Sequence, residues 1–256
     1  MLVSSLAAFT LAGCSSSDKV DTLAKVKDAD KLVAGVKFDT NLFGLKNPTS
    51  GEVEGFDIDI AKAITKEILG DESKLELKEV TSKTRIPMLE KGDIDLIIAT
   101  MTITDERKKQ VNFSDVYFNA GQSLLVKEGS DVKGIDSLDG KKVIAVKGST
   151  SAKNIREKAP NAEVLEFDDY AQAFTALKSG KGEALTTDNS ILMGMHMQDP
   201  NYVLVGGTFT EEPYGIAIAH GDEDMTKAVN DALKKLHDSG EYAKIYKKWF
   251  GEEPTE

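Results

Sequence analysis

The sequence predicts an α/β protein made of two similar lobes, and two observations carry that expectation. Strand-like and helix-like segments alternate along most of the chain, the pattern of strands backed by helices. There is also an internal echo. Leu89-Glu90-Lys91-Gly92-Asp93 precedes a strand that ends at Ala99 and Thr100, and Leu177-Lys178-Ser179-Gly180-Lys181 precedes a strand near Glu183 to Thr187, followed by Asp188. Each copy reads as helix, glycine turn, strand and then polar side chains at the carboxyl end, where open α/β sheets commonly bind ligands.

The elements follow in order. Lys31 to Val36 is an apolar first strand, and Gly44, Pro48 and Gly51 punctuate the turn-rich stretch after it. Phe56, Ile58, Ile60, Ala63, Ile64 and Ile68 lead into an amphipathic helix stopped by Gly70. Leu75 to Val80 alternates like a half-buried strand; a short helix near Arg85 to Glu90 and the apolar strand Ile94 to Ala99 come next. The second lobe opens with the extended segment Ser123 to Val126. It continues through a strand at Lys142 to Val146, a helix at Ser151 to Lys158, a strand at Val164 to Phe167 and a helix through Ala171, Phe174 and Leu177. Tyr214 to Ala219 reads as a strand and Met225 to Leu236 as a helix. Tyr242, Ile245, Tyr246, Trp249 and Phe250 read as the packing face of a last helix, with a ligand-binding aromatic box as the lesser reading.

The first 13 residues are apolar and uncharged, and the chain's single cysteine follows at Leu11-Ala12-Gly13-Cys14, ahead of Ser15 to Ser17. One cysteine excludes an internal disulfide. The junction resembles the lipobox of bacterial lipoproteins, which implies that Cys14 is the acylated mature N-terminus. No Lys or Arg precedes it, which reads as a shortened start. Residues 1–13 are therefore expected to be a signal remnant and 14–30 a polar tether. About 240 residues remain, enough for one large or two compact domains. No later apolar run reaches the length that crosses a bilayer. The net charge of −11 falls entirely after residue 13 and argues against nucleic-acid binding, which needs concentrated basic surface.

Gly55-Phe56-Asp57-Ile58-Asp59-Ile60, Gly92-Asp93-Ile94-Asp95, Ile103-Thr104-Asp105-Glu106-Arg107 and Tyr246-Lys247-Lys248-Trp249-Phe250 together resemble the bacterial extracellular solute-binding family for polar amino acids. The likeness runs from Lys31 to Phe250 and is strongest to the glutamate/aspartate-binding and glutamine-binding branches. It implies an α/β, two-lobed periplasmic-binding-protein-like fold with two crossover strands and a ligand cleft between the lobes. Residues 31–122 plus 214–256 would form a discontinuous lobe 1 and 123–213 lobe 2, with hinges near Gly121 to Val126 and Glu211 to Gly215.

Site residues follow from that resemblance. Arg107, which alone would be read as a solvated surface charge, is placed on the ligand α-carboxylate, where its planar fork can make two parallel charge-assisted bonds. Asp188, alone a turn or helix cap, is placed on the α-ammonium. Thr100, Thr102 and Thr150 would complete the polar lining; an extended backbone would put Thr100 and Thr102 on one side. Thr150 opens a helix, where capping is the competing role for its neighbours Ser149 and Ser151. Lys37 and Arg85 resemble the basic residues around a distal carboxylate and favour glutamate, with aspartate next. Lys147 resembles the lysine of the glutamine-binding branch and keeps glutamine open as the alternative. Phe56 is expected to pack over the aliphatic part of the ligand or to form one wall of the pocket, with a core role as the alternative.

The expected function is thus an extracytoplasmic, lipid-anchored binding protein of an amino-acid ABC importer. It would be a monomer that closes on a free amino acid and hands it to a membrane permease, without cofactor or metal. No phosphate-binding loop occurs in the chain. A cyclohexadienyl-dehydratase-like enzyme and a ligand-sensing surface protein are the alternatives. His196, His220 and His237 are scattered and form no metal or nucleophile motif.

Overall fold

A computed structural model describes residues 21–254. In chain order the elements of the first lobe begin with α1 (Thr22–Asp28), β1 (Leu32–Val36), β2 (Asp39–Thr40), β3 (Gly44–Lys46) and β4 (Val53–Glu54). They continue with α2 (Phe56–Leu69), β5 (Leu75–Glu79), α3 (Arg85–Glu90), β6 (Leu96–Ile97), β7 (Val111–Phe113) and β8 (Phe118–Ala120). The second lobe holds β9 (Gln122–Lys127), β10 (Lys142–Val146), α4 (Thr150–Lys158), β11 (Glu163–Phe167), α5 (Tyr170–Lys178), β12 (Ala184–Asp188), α6 (Asn189–Gln198) and β13 (Tyr202–Val205). The chain returns through β14 (Glu212–Tyr214) and finishes with β15 (Ala217–Ala219), α7 (Glu223–Asp238) and α8 (Glu241–Phe250).

The two main sheets share one plan. The first runs β5-β1-β6-β15-β7 and the second β11-β10-β12-β9-β13. In each, three parallel strands are followed by one antiparallel to its neighbour and a fifth antiparallel to that. Helices cover the faces, so a strand such as Lys142–Val146 reads as an almost continuous apolar run and is buried beyond its first residue. The echo noted in the sequence lands on β6 and β12, which hold the same position in their sheets. The fold is the expected two-lobed one with crossover strands between the lobes. The crossings themselves are β8 and β14, paired antiparallel with Phe118 opposite Tyr214. Gln122–Lys127, expected near the first hinge, lies wholly inside the second sheet.

Three local expectations are corrected. The segment expected to be tether, 14–30, is structured in its described part. Asp21 caps α1, Val26 enters the core, and the Thr22 backbone N–H donates to the Asp222 carboxylate at 2.8 Å. Burial of one valine plus a long-range hydrogen bond holds down a short helix that would not persist alone. Cys14 and the leading residues lie outside the described chain. The strand expected over Tyr214 to Ala219 is broken at Gly215, whose N–H turns to Met101 O at 3.0 Å. Phe56 is a core residue. It is fully buried among Phe118, Tyr117, Tyr242, Tyr246 and Phe250, in edge-to-face, tilted and stacked contacts that fasten α8 to α2 and β8. That cluster also accounts for the aromatic set near the C-terminus. No helix among the described residues is long and apolar enough to cross a membrane.

Candidate functional site

The carboxyl ends of β6 and β12 face each other across the lobes, and buried charges gather there. Arg107 begins a single 3-10 turn and is 9% exposed. Its Nη1 donates to Thr102 O at 2.7 Å and its Nη2 reaches across the cleft to Gly148 O at 3.1 Å. Arg85, at the start of α3, is 2% exposed. Its Nη1 donates to Ala99 O at 2.6 Å while its Nε has no partner. Lys37 follows β1, donates to Ser82 Oγ at 3.0 Å and lies 5.0 Å from the centre of the Tyr170 ring, a cation–π contact between lobes. Asp188 closes β12; its Oδ2 accepts from the Tyr214 hydroxyl at 2.5 Å and its Oδ1 has no partner.

Burial sets the titration of these groups, because it penalises whichever form is charged. It pushes Lys37 down to about 8 and Arg85 down to about 9, and it lowers Arg107 as well. Asp188 is pushed up to about 7, by burial first and then by the nearby Glu212 carboxylate. An unpaired buried charge costs several kcal/mol. Three buried cations, the buried carboxylates of Asp188, Glu212 and Asp57, and unsatisfied atoms at Arg85 Nε, Asp188 Oδ1 and Gln122 Oε1 therefore make a place complementary to a molecule bearing both charges.

Thr100 and Thr102 do come to this place, but not as an extended pair. Thr100 has φ +46°, its N–H donating to Asp57 Oδ2 at 3.0 Å and its hydroxyl to Ala99 O at 2.9 Å. The same-side expectation fails because this left-handed residue breaks the alternation. Asp57 is fully buried, accepts from Tyr117 Oη at 2.8 Å and is pushed up to about 7 by burial. Thr150 opens α4, donates to Glu212 Oε2 at 2.9 Å and accepts from Gln122 Nε2 at 3.2 Å. Ser149 takes the ordinary cap role, its hydroxyl oxygen accepting from Ala152 N at 3.2 Å. Lys147 does not join the group. It pairs with Asp168 at 2.7 Å on the partly exposed rim, where a solvated ion pair holds it away from the buried cations.

The lobes touch. Asp39 Oδ2 accepts from Tyr170 N at 2.7 Å, and Asn41 Nδ2 donates to Gly194 O at 2.9 Å. Gly148, at φ +76°, lets the second lobe approach; a Cβ there would meet Ser82 O at 2.8 Å. At the mouth remains a cavity of about 720 Å³, whose lining includes Ser82, Thr102, Arg107, Thr150 and Glu212.

The family model for bacterial extracellular solute-binding proteins, family 3, matches residues 32–252. The chain belongs to that family. It is 63% identical over 265 aligned residues to the ABC transporter glutamine-binding protein GlnH of Bacillus subtilis, covering 100% of this chain and 97% of that one. It is 56% identical to a glutamine-binding protein of Geobacillus stearothermophilus, covering 90% of this chain and 94% of that one. Among solved structures, an ancestral arginine-binding protein bound to glutamine superposes with a TM-score of 0.82 at 45% identity, covering 87% of this chain and 99% of that one.

Family membership makes this a solute-binding protein and not an enzyme, and two of its three histidines have structural surroundings. His196 Nδ1 lies 2.7 Å from Tyr202 O, and His237 stacks on Tyr242 at 4.0 Å. Sequence reasoning missed Tyr170, Gln122 and Glu212, which the structure brings to the same buried place. Tyr170 opens a helix, and only the closeness of the other lobe puts its ring under Lys37. Glu212 sits on a crossing strand whose position was read, yet nothing local announced that its carboxylate faces α4.

Proposed function

We propose that this solute-binding protein captures free glutamine outside the cytoplasm and delivers it to the permease of an amino-acid ABC importer. The observation that carries the reading is the pair Arg107, in its 3-10 turn, and Asp188, at the end of β12, both buried and with Asp188 Oδ1 unpaired. Arg107 would take the α-carboxylate and Asp188 the α-ammonium, with Thr102 and Thr150 beside them. Glutamine as the side-chain choice is supported by the names of the two relatives above, both glutamine-binding, one at 63% identity along the whole chain.

Glutamate is the second reading, and one observation favours it. Once a zwitterion matches Arg107 and Asp188, Lys37 and Arg85 remain as two buried cations. A distal carboxylate would complement them. An amide oxygen accepts from the same donors without adding charge, and Asp57 and Asp39 already act electrostatically on Lys37.

Closure is the proposed mechanism: ligand groups held from both lobes shift the population toward the touching arrangement, with bending at the paired crossings β8 and β14. Acylation at Cys14 would tether the protein, as a monomer, beside its permease. The test is calorimetric titration with glutamine, glutamate and aspartate after bound ligand has been removed, with mass analysis of the recovered ligand. Tightest binding of unchanged glutamine is expected. Tighter glutamate would select the second reading, and binding of none of the three would refute the substrate class.

A further inference from the structure

We infer that Gln122 is a ligand-binding residue, whose side-chain carbonyl shares the ligand's α-ammonium with Asp188. This deepens the amino-acid reading of the site and rests on it. Gln122 is the first residue of β9, fully buried, and stands directly opposite Asp188 of β12 in the antiparallel register. Directly opposed residues project from the same face, with Cβ atoms about 5 Å apart. Both end in a buried acceptor without a partner, Gln122 Oε1 and Asp188 Oδ1.

The orientation of the amide is fixed by its neighbours. The one hydroxyl proton of Thr150 goes to Glu212 Oε2 at 2.9 Å, so Thr150 Oγ1 can only accept from Gln122, at 3.2 Å. Nε2 must therefore face Thr150, which turns Oε1 the other way. Glu212 is itself held, its Oε1 accepting from Thr210 Oγ1 at 2.9 Å and Asn154 Nδ2 at 3.2 Å. The Gln122 backbone is pinned too: its N–H donates to Thr210 Oγ1 at 3.0 Å, and its carbonyl accepts from Phe209 N at 2.9 Å. A chain of hydrogen bonds thus runs from a crossing strand to an open carbonyl.

A buried acceptor left open costs free energy, and two side by side match a group with several N–H donors. A primary ammonium has three. A neutral amide also suits the position electrostatically, because Asp188 already lies near the Glu212 carboxylate and another negative charge would favour its protonated form.

The experiment compares wild type with Gln122→Met in the full chain, by calorimetry with glutamine and with glutamate, alongside the ligand-free melting temperature. The expected result is a loss of affinity of about tenfold to a hundredfold. It should be equal for the two ligands, because they share the ammonium, and the ligand-free melting temperature should stay unchanged. Unchanged affinity would overturn the inference, as would a loss confined to one ligand, which would move Gln122 to the side-chain end. If the variant fails to fold, wild type labelled with ¹³C at glutamine side-chain carbonyls gives the same answer. The Gln122 resonance should shift on saturation with either ligand, and a resonance that stays in place would refute the contact. Failure of wild type itself to bind either amino acid would reject the underlying function and is visible separately in the same titration.

Discussion

Gly194→Ala isolates the contact between the lobes from the stability of either lobe. Gly194 lies inside α6, where its carbonyl accepts from Asn41 Nδ2 at 2.9 Å. A Cβ at this position would meet Asn41 O at 2.7 Å, and the Asn41 carbonyl carbon and Cβ at 3.1 Å each. The Asn41 loop cannot retreat easily, since Leu42 beside it is held at φ +74° and buried. Overpacking of this kind costs about 1–3 kcal/mol, and weakening the hydrogen bond adds about 1 kcal/mol. Only the touching arrangement bears that cost. In the separated lobes the same change replaces a helical glycine with alanine, a gain of about 1 kcal/mol. Affinity should therefore fall by roughly 30-fold or more, while the ligand-free melting temperature rises by about 2–4 °C. Calorimetric titration and a melting scan read the two quantities. Unchanged affinity, or a melting temperature that falls together with affinity, would refute the reasoning.

Three further outcomes are expected. Asp188, raised to about 7 against an ordinary carboxyl near 4, contributes stability that is fully present below pH 4 and is lost as pH rises through about 7. An ammonium ligand needs the ionised form, so binding should release a proton below pH 7 and weaken about tenfold per unit of further acidification. Calorimetry in buffers of different ionisation enthalpy measures this, and flat affinity from pH 8 to 5.5 without proton release would contradict the assignment. Arg107→Lys leaves one point donor for the work of a fork that already serves Thr102 O and Gly148 O, so glutamine and glutamate should both lose about a hundredfold in Kd. Asp222→Ala removes the acceptor for both Thr22 N and Met225 N. It should cost about 1–3 kcal/mol and speed amide exchange across Thr22–Asp28 well beyond that of the sheet strands.

The fold was legible because its signals are local. The apolar run of Lys142–Val146, the glycine stop at Gly70 and the 3.6-residue pattern from Phe56 each report their own element. Arg107, Asp188, Lys37 and Arg85 could be named from family-like motifs, and the structure gathers them at one buried place. Orientation was not legible. Thr100 leaves the extended region because the buried carboxylate of Asp57, 43 residues earlier, takes its N–H. Lys147 turns outward because Asp168 waits on the rim, and Phe56 faces a core finished by Phe250 at the far end of the chain. α1 looked like tether because its sequence is polar; the only fully buried apolar side chain in it is Val26, with Leu23 partly buried beside it.

The shared plan of the two sheets also dictates the order in which a growing chain can complete them. Each sheet's fourth strand comes directly after a crossing, β9 after β8 and β15 after β14. The second sheet draws all five strands from residues 122–205, and so has its full complement before the C-terminal helices have emerged. The first sheet starts earlier, yet β6 lacks its neighbour β15, and Phe56 lacks Phe250, until the last 40 or so residues emerge. The lobe that begins first on the ribosome is therefore the one that finishes last, and its unfilled strand edge must stay unpaired throughout synthesis of the other.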